Sequence, residues 1–387
     1  MKKVSIWAAA VLAACMADAD LTVDVRKSGA SRVSVSVEVG GNAAFRKCLE
    51  RNLKISGYFE LSQSGAVKVT GTAGSAVTAT GNGKAITSNA AFAGDAEARL
   101  AARKFADEMV KHFSEGGTGF ASARIVFVNR KGSNNAELYT CYPDGMDIRQ
   151  ITSDGLAAVG PRWAPNGNDV YYTGFLHDKQ LVYRVNLATG ERKLLSQFKG
   201  GATGAAISPD GRRAAIILSH QGNPELYVLD LGTGVAQRMT TTPAAAEASP
   251  AWSPDGTKIA YTSDQSRSPQ IYVCDVASRK STRYTSVGKQ NTHPDWGKDG
   301  QLCWTSLRQG QWVVMAGPFA NGEKGARAVT KPGDWQDPSW TPDARHLVAS
   351  RDKALFLVDV DPDAESPVAP HMIFANKGNW MNPAVSK

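Results

Sequence analysis

Short stretches of alternating apolar and polar residues run through most of this chain, and over its last two thirds they recur at a fixed interval. In the clearest unit, Ser249 to Trp252 predicts a strand and Ser253-Pro254-Asp255-Gly256 a tight turn. Lys258 to Ser263 predicts a second strand with Ile259 and Tyr261 on one face, Gln270 to Val276 a third, and Arg283 to Thr285 a short outer one. Alternation with period two marks a half-buried strand. In the turn, proline presets φ, aspartate tolerates the corner and glycine supplies the positive φ of the exit. Related units surround Pro161-Arg162-Trp163, Ala206-Ile207-Ser208-Pro209-Asp210-Gly211, Pro294-Asp295-Trp296 and Pro338-Ser339-Trp340. The anchors Trp163, Ile207, Trp252, Trp296 and Trp340 are separated by 44, 45, 44 and 44 residues.

Four antiparallel strands repeating at this length are a propeller blade; ankyrin and tetratricopeptide repeats are shorter and helical. A unit lacking its first strand precedes the first anchor, with strands expected at Arg124 to Asn129, Glu137 to Cys141 and Ile148 to Thr152. At the far end, Val385 in Asn382-Pro383-Ala384-Val385 lies 45 residues after Trp340. The C-terminal strand is therefore expected to complete the first blade, giving six blades and a closed ring without free sheet edges. The repeated tryptophans are expected to pack between blades.

Residues before about 120 carry no repeat. Leu21, Val23 and Val25, and then Val33, Val35, Val37 and Val39, predict two strands. Ala43 to Leu53 predicts a helix with Phe45, Cys48, Leu49 and Leu53 on one face, and Val67–Thr70 with Ala76–Ala79 a hairpin. Asp95 to Phe113 predicts a longer helix with Asp95 as its cap and an apolar stripe of Leu100, Phe105, Met109 and Phe113. Gly116-Gly117-Thr118-Gly119 reads as a linker, since no Gly-Lys-Ser/Thr follows to make a phosphate cradle. The fold expected is mostly β: a leader at 1–19, a small α/β domain at 20–118 and a six-bladed β-propeller at 119–387.

Composition adds compartment and removes several functions. Hydrophobic residues make up 42% and charged residues 21%, as in a folded globular chain. The net charge of +8 is spread thinly, with no basic run longer than Arg212-Arg213 or Arg130-Lys131, which argues against nucleic acid. Met1-Lys2-Lys3, the apolar run Val4 to Ala14 and the small residues after it form an export signal. Cleavage after Ala17-Asp18-Ala19 would leave Asp20 first; a lipoprotein cut at Leu12-Ala13-Ala14-Cys15 would leave a lipidated Cys15. The first is preferred because a strand pattern begins at Leu21. No later apolar stretch is long enough to span a bilayer. Cys48, Cys141, Cys274 and Cys303 are far apart, which argues against zinc and leaves any pairing open; Cys141 and Cys274 read as buried hydrophobes. His177, His220, His293 and His346 show no ligand spacing, no hydrolase elbow is present, and Asp361-Pro362-Asp363-Ala364-Glu365 reads as a loop. No catalysis, metal or cofactor is expected. Trp312 and Trp335 are candidate sugar platforms in a competing reading as a carbohydrate- or peptidoglycan-binding propeller; a propeller lyase or hydrolase is the other alternative.

Together these residues resemble the TolB family, the periplasmic propeller proteins of the Tol–Pal envelope system. The stretch Ser249-Pro250-Ala251-Trp252-Ser253-Pro254-Asp255-Gly256-Thr257-Lys258-Ile259-Ala260-Tyr261-Thr262-Ser263-Asp264-Gln265, through Pro269-Gln270-Ile271-Tyr272-Val273, is similar to that family's typical blade. Arg124 to Val128 is similar to its first propeller strand, and Asn52 to Phe59 to its helix-to-strand passage. The resemblance implies a monomeric periplasmic scaffold in envelope integrity, cell division and protein import. It implies contact with a TolA-like inner-membrane protein through the mature N-terminal segment Asp20, Leu21, Thr22, Val23, Asp24, Val25 and Arg26. It implies contact with a Pal-like lipoprotein at the propeller mouth, through Gly201, Glu247, Ser249, His293, Gln336 and Asp337, with Gln265 and Arg267 nearby. Ser249 and His293 stand where the family often has an acidic residue before Pro-x-Trp, and the front domain is shorter than usual.

Overall fold

The computed structural model describes residues 32–132, 135–153, 155–176, 179–195, 198, 200–219, 222–361, 364, 366–374 and 378–387. The expected export signal, Cys15 and the segment Asp20 to Arg26 with its expected strand lie outside the described residues, as do His177, His220 and most of the acidic cluster after Asp361.

The front of the chain forms a five-stranded sheet of β1 (Val33–Gly40), β2 (Phe59–Leu61), β3 (Val67–Thr72), β4 (Ala76–Gly81) and β5 (Lys84–Ser88), ordered β2-β1-β3-β4-β5. β1 runs parallel to both neighbours, while β3, β4 and β5 form an antiparallel meander. Val35 and Val39 of β1 point to one face, where α1 (Ala43–Ile55) and α2 (Asp95–Phe113) close a core with Phe45, Leu49, Leu53, Phe105 and Met109. Asn42 caps α1 by accepting a hydrogen bond from the Phe45 amide. The cap expected at Asp95 is not there. Gly94 occupies that place with no side-chain bond, and Asp95 is the first helical residue, where its carboxylate accepts from the Asn42 amide and favours the positive helix end.

Six four-stranded antiparallel sheets follow, as the repeat requires. Their innermost strands are Trp380–Val385, Val159–Trp163, Ala202–Ile207, Glu247–Trp252, Gln290–Trp296 and Trp335–Trp340, for blades 1 to 6. In blade 1 the C-terminal strand pairs with Ile125–Arg130, which continues to Ala136–Cys141 and Arg149–Gln150. The ring is thus closed by the two ends of the propeller segment lying side by side.

The anchors pack between neighbouring blades. Trp252 and Trp296 are buried and Trp340 is wholly enclosed. Trp252, on blade 4, lies against Ala206, Ile217 and Leu226 of blade 3, and its indole N–H donates to the Ala206 carbonyl at 2.9 Å. Trp163 does the same to Ala384 at 3.0 Å. Trp252→Ala should therefore cost about 3–5 kcal/mol, because it leaves an aromatic-sized void and an unpaired carbonyl between sheets that cannot slide together. Denaturant unfolding of the variant checks this; an unchanged midpoint would contradict the packing. Cys48, Cys141, Cys274 and Cys303 are free and buried.

The front sheet and helices rest on the propeller end formed by turns between the first and second, and the third and fourth, strands. Arg103 of α2 reaches Asp144 and Asp147 in the outer turn of blade 1, the Phe120 ring lies tilted against His346 of blade 6 with ring centres 4.6 Å apart, and Lys298 of blade 5 donates to Thr118. The opposite end of the channel carries the loops into each first strand and the hairpins between second and third strands.

Candidate functional site

Every inner strand is interrupted at the same place. The pairing register with the second strand shifts once in each blade, between the partners of Tyr171/Thr173, Thr203/Ala206, Ala248/Ala251, Thr292/Asp295, Gln336/Ser339 and Met381/Ala384. These are β-bulges, which bend a strand and re-aim a side chain. At each bulge one residue takes a positive φ: Gly160 (57°), Gly204 (60°), Ser249 (51°), His293 (54°), Asp337 (52°) and Asn382 (49°). The left-handed region disfavours most residues with a Cβ but tolerates Asn, Asp and His better than others. Each of the six stands three positions before its blade's anchor, so the ring was present in the repeat as a column of Gly, Gly, Ser, His, Asp and Asn. Neighbouring blades hold the bulges in place: the Gly204 amide donates to Thr173 and the His293 amide to Thr262.

All six bulge residues line one cavity of about 220 Å³ on the channel axis, together with Arg162, Thr173, Thr203 and Pro250. Asp337 is the centre of its polar half. One carboxylate oxygen accepts from Asn382 Nδ2 at 2.7 Å, and the other lies 3.2 Å from His293 Nε2. In the other half the bulge residues Gly160 and Gly204 contribute no side chain, and Arg162, Thr173 and Thr203 lie beside them. Of the residues expected at the mouth, Ser249, His293 and Asp337 are brought together here. Gln336, Gln265 and Arg267 are exposed at the rim, the latter two on the hairpin after Ser263, and Gly201 is half-buried beside Gln180. Arg162, Asn382 and the two glycines belong to the cavity and were missed.

Glu247 does not present itself at the mouth. It is buried at the junction of blades 3 and 4, where one oxygen accepts from Thr242 and Ser263 and the other has no donor among the described residues. Burial, together with the nearby Glu225 carboxylate, pushes its pKa up to about 7. Glu225 is held below its ordinary value: burial opposes this, but Thr240, the Thr242 amide and Arg238 outweigh it. The matching place between blades 4 and 5 holds two amides instead, with Asn291 Nδ2 donating to Gln270 Oε1 at 2.8 Å. Below about pH 7 Glu247 therefore keeps a proton where the next junction has an amide hydrogen. Its native pKa lies above the unfolded one, so the folded state binds the extra proton between about pH 4.5 and 7. Stability falls as pH rises through that window and stays reduced above it. Glu247→Gln should remove this slope and leave the protein about 1–3 kcal/mol more stable at pH 8 but little changed at pH 4. Denaturant titrations at the two pH values measure it.

The sugar-platform expectation is corrected for Trp335. It is 1% exposed, sandwiched in the core between blades 5 and 6, with its indole N–H given to the Lys331 carbonyl. Trp312 is half-buried against the same core. Among the described residues no group of three His, Cys, Asp or Glu side chains is placed to hold a metal, and no helix is long and apolar enough to cross a membrane.

The fold and this channel define a closed six-bladed propeller with a polar, bulge-lined mouth and an α/β domain on its far end. The family model described as the TolB beta propeller domain matches residues 115–386, and the chain belongs to that family. Two proteins carrying the name Tol-Pal system protein TolB are similar over 157 residues. That from Anaeromyxobacter sp. (strain K) is 29% identical, and that from Anaeromyxobacter dehalogenans 28%. In both the match covers 41% of this chain and 35% of the relative, so it spans about a third of the relatives' length. The crystal structure of TolB from Acinetobacter baumannii superposes with a TM-score of 0.79 at 21% identity, covering 93% of this chain and 98% of that one. A putative TolB from Agrobacterium tumefaciens gives 0.52 at 21% identity, with 68% and 92% covered. These two likenesses establish the fold.

Proposed function

We propose that the protein is a non-enzymatic periplasmic scaffold of the Tol–Pal system. Its propeller mouth binds a Pal-like outer-membrane lipoprotein, and Asp20 to Arg26 bind a TolA-like inner-membrane protein. Membership of the TolB propeller family over residues 115–386 carries this reading. The channel end away from the front domain supports it: an open, polar ring framed by hairpins suits a protein surface. A segment that alternates apolar and polar residues, as Leu21 to Arg26 does, suits docking by strand addition. The domain division at about residue 118 would then separate the two contacts, one in front of the α/β domain and one behind it.

Affinity capture with the full mature chain from solubilised envelope, identified by mass spectrometry, tests both contacts. Wild type should retain a Pal-like and a TolA-like protein. Deleting Asp20–Arg26 should lose the second and keep the first, whereas Ser249→Arg should lose the first and keep the second. Capture of neither by wild type would overturn the reading.

A further inference from the structure

The cavity is divided, and its charge is uneven. Ser249, His293, Asp337 and Asn382 fill one side, where Asp337 is already met by Asn382 and His293. On the other side Gly160 leaves space, since a Cβ built there would touch nothing within 4 Å, whereas one built at Gly204 would meet the Pro250 ring at 3.2 Å. Arg162 lines this open side. Among the described residues its one hydrogen bond is from Nη1 to the Pro161 carbonyl at 3.2 Å, and it has no carboxylate partner. A guanidinium keeps its charge and carries five donors, so a half-buried one with a single bond is built for an acceptor that arrives from outside.

Among the described residues the rim has the same sign. Lys131, Lys179, Arg267, Lys289, Lys331 and Lys353 are exposed on the mouth-side loops, whereas the exposed acids described there are Asp264, Asp334 and Asp352. A basic rim around a basic recess draws an acidic partner in and selects against a basic one.

We propose that the glycine-lined half of the mouth is a pocket for an Asp or Glu side chain of an acidic protein segment, paired there with Arg162. This rests on reading the mouth as a protein-binding face and names the chemistry of what enters it. The carboxylate passes Gly160 and Gly204, displaces water from Arg162 and leaves the Asp337 cluster intact, while the rim supplies attraction at longer range.

The test uses the full mature chain, ¹⁵N-labelled, and three probes: an N-acetylated hexaglutamate peptide, the matching hexaglutamine peptide and glutarate. The hexaglutamate peptide should shift the Gly160 and Gly204 amides and the Arg162 Nε signal, binding at least fivefold more weakly at 200 mM than at 50 mM NaCl. Hexaglutamine should not bind. Glutarate alone binding as well as the peptide would overturn the assignment to a protein segment. R162Q should lose at least tenfold in affinity. So should G160D, because the bulge accepts Asp as it does at Asp337 and the new carboxylate would occupy Arg162 from within. Unchanged peptide binding in both variants, or shifts confined to Asp337 and Asn382, would overturn the pocket. Binding of a Pal-like domain is scored separately: its absence, with the peptide result intact, removes the partner and keeps the pocket.

Discussion

Deleting Trp380 to Lys387 should abolish cooperative unfolding or lower the melting midpoint by more than 10 °C. The excised strand supplies the inner edge of blade 1, where Met381 to Val385 pair with Ile125 to Val128. It also touches three other blades. The Ala384 carbonyl accepts the Trp163 indole of blade 2, Val385 N–H donates to Ser339 of blade 6, and Lys387 pairs with Asp295 of blade 5. Removing it bares Val126 and Val128 along an unpaired edge, which templates association. Against a typical domain stability of about 5–15 kcal/mol, the loss of a ring-closing strand consumes most of the margin. Scanning calorimetry and size-exclusion chromatography should show a broadened transition and self-association. Adding the excised segment as a peptide should restore part of the stability. A truncated chain that melts like wild type would mean that the ring closes elsewhere.

That closure was legible because the repeat carries its own ruler: Val385 stands one period after Trp340, and the fold places it where a first strand is missing. The bulge ring was equally periodic but harder to read. Only Gly160 and Gly204 announce a positive φ by themselves, whereas Ser249, His293 and Asp337 look like ordinary strand residues until they are aligned with them. Glu247 was misplaced for a related reason. It was expected at the mouth with the other residues that lead into the first strands, and its burial depends on Thr242 and Ser263, which the fold brings around it. In the front domain, β1 and both helices follow from clear apolar faces. β5, with its largely exposed side chains, carries no such signal and was passed over. The docking of the two domains was invisible, because each of its contacts joins residues far apart in sequence.

The strongest of those contacts gives the other large expectation. Arg103→Ala should cost about 3–5 kcal/mol and loosen the front domain from the propeller. Arg103 is fully enclosed, with Nε 2.8 Å from one Asp144 oxygen, Nη2 3.1 Å from the other, Nη1 2.7 Å from Asp147 and its plane 3.8 Å from the Tyr142 ring centre. Burial alone would disfavour its charge, yet the two carboxylates outweigh this and raise its pKa. Removing it leaves Asp144, also enclosed, with only Asn52 Nδ2 and the Met146 amide as strong donors among the described residues. An uncompensated buried carboxylate is what makes breaking one partner costlier than losing the pair. The double variant Arg103→Met, Asp144→Leu should therefore recover part of the loss, and a double-mutant cycle should show the two sites coupled. Acid should act in the same direction. Asp147 is held below its ordinary value: burial opposes this, but Arg99 and Arg103 prevail. Its contribution is present above about pH 4 and is lost as pH falls through the native value. Cleavage by a protease in the glycine-rich linker at Gly116 to Gly119 should rise in Arg103→Ala at neutral pH, and in wild type only in acid. Equal cleavage in both proteins at pH 7 would show that the interface is held by its apolar contacts, Phe120 against His346 among them, and that the ion pairs merely tolerate it.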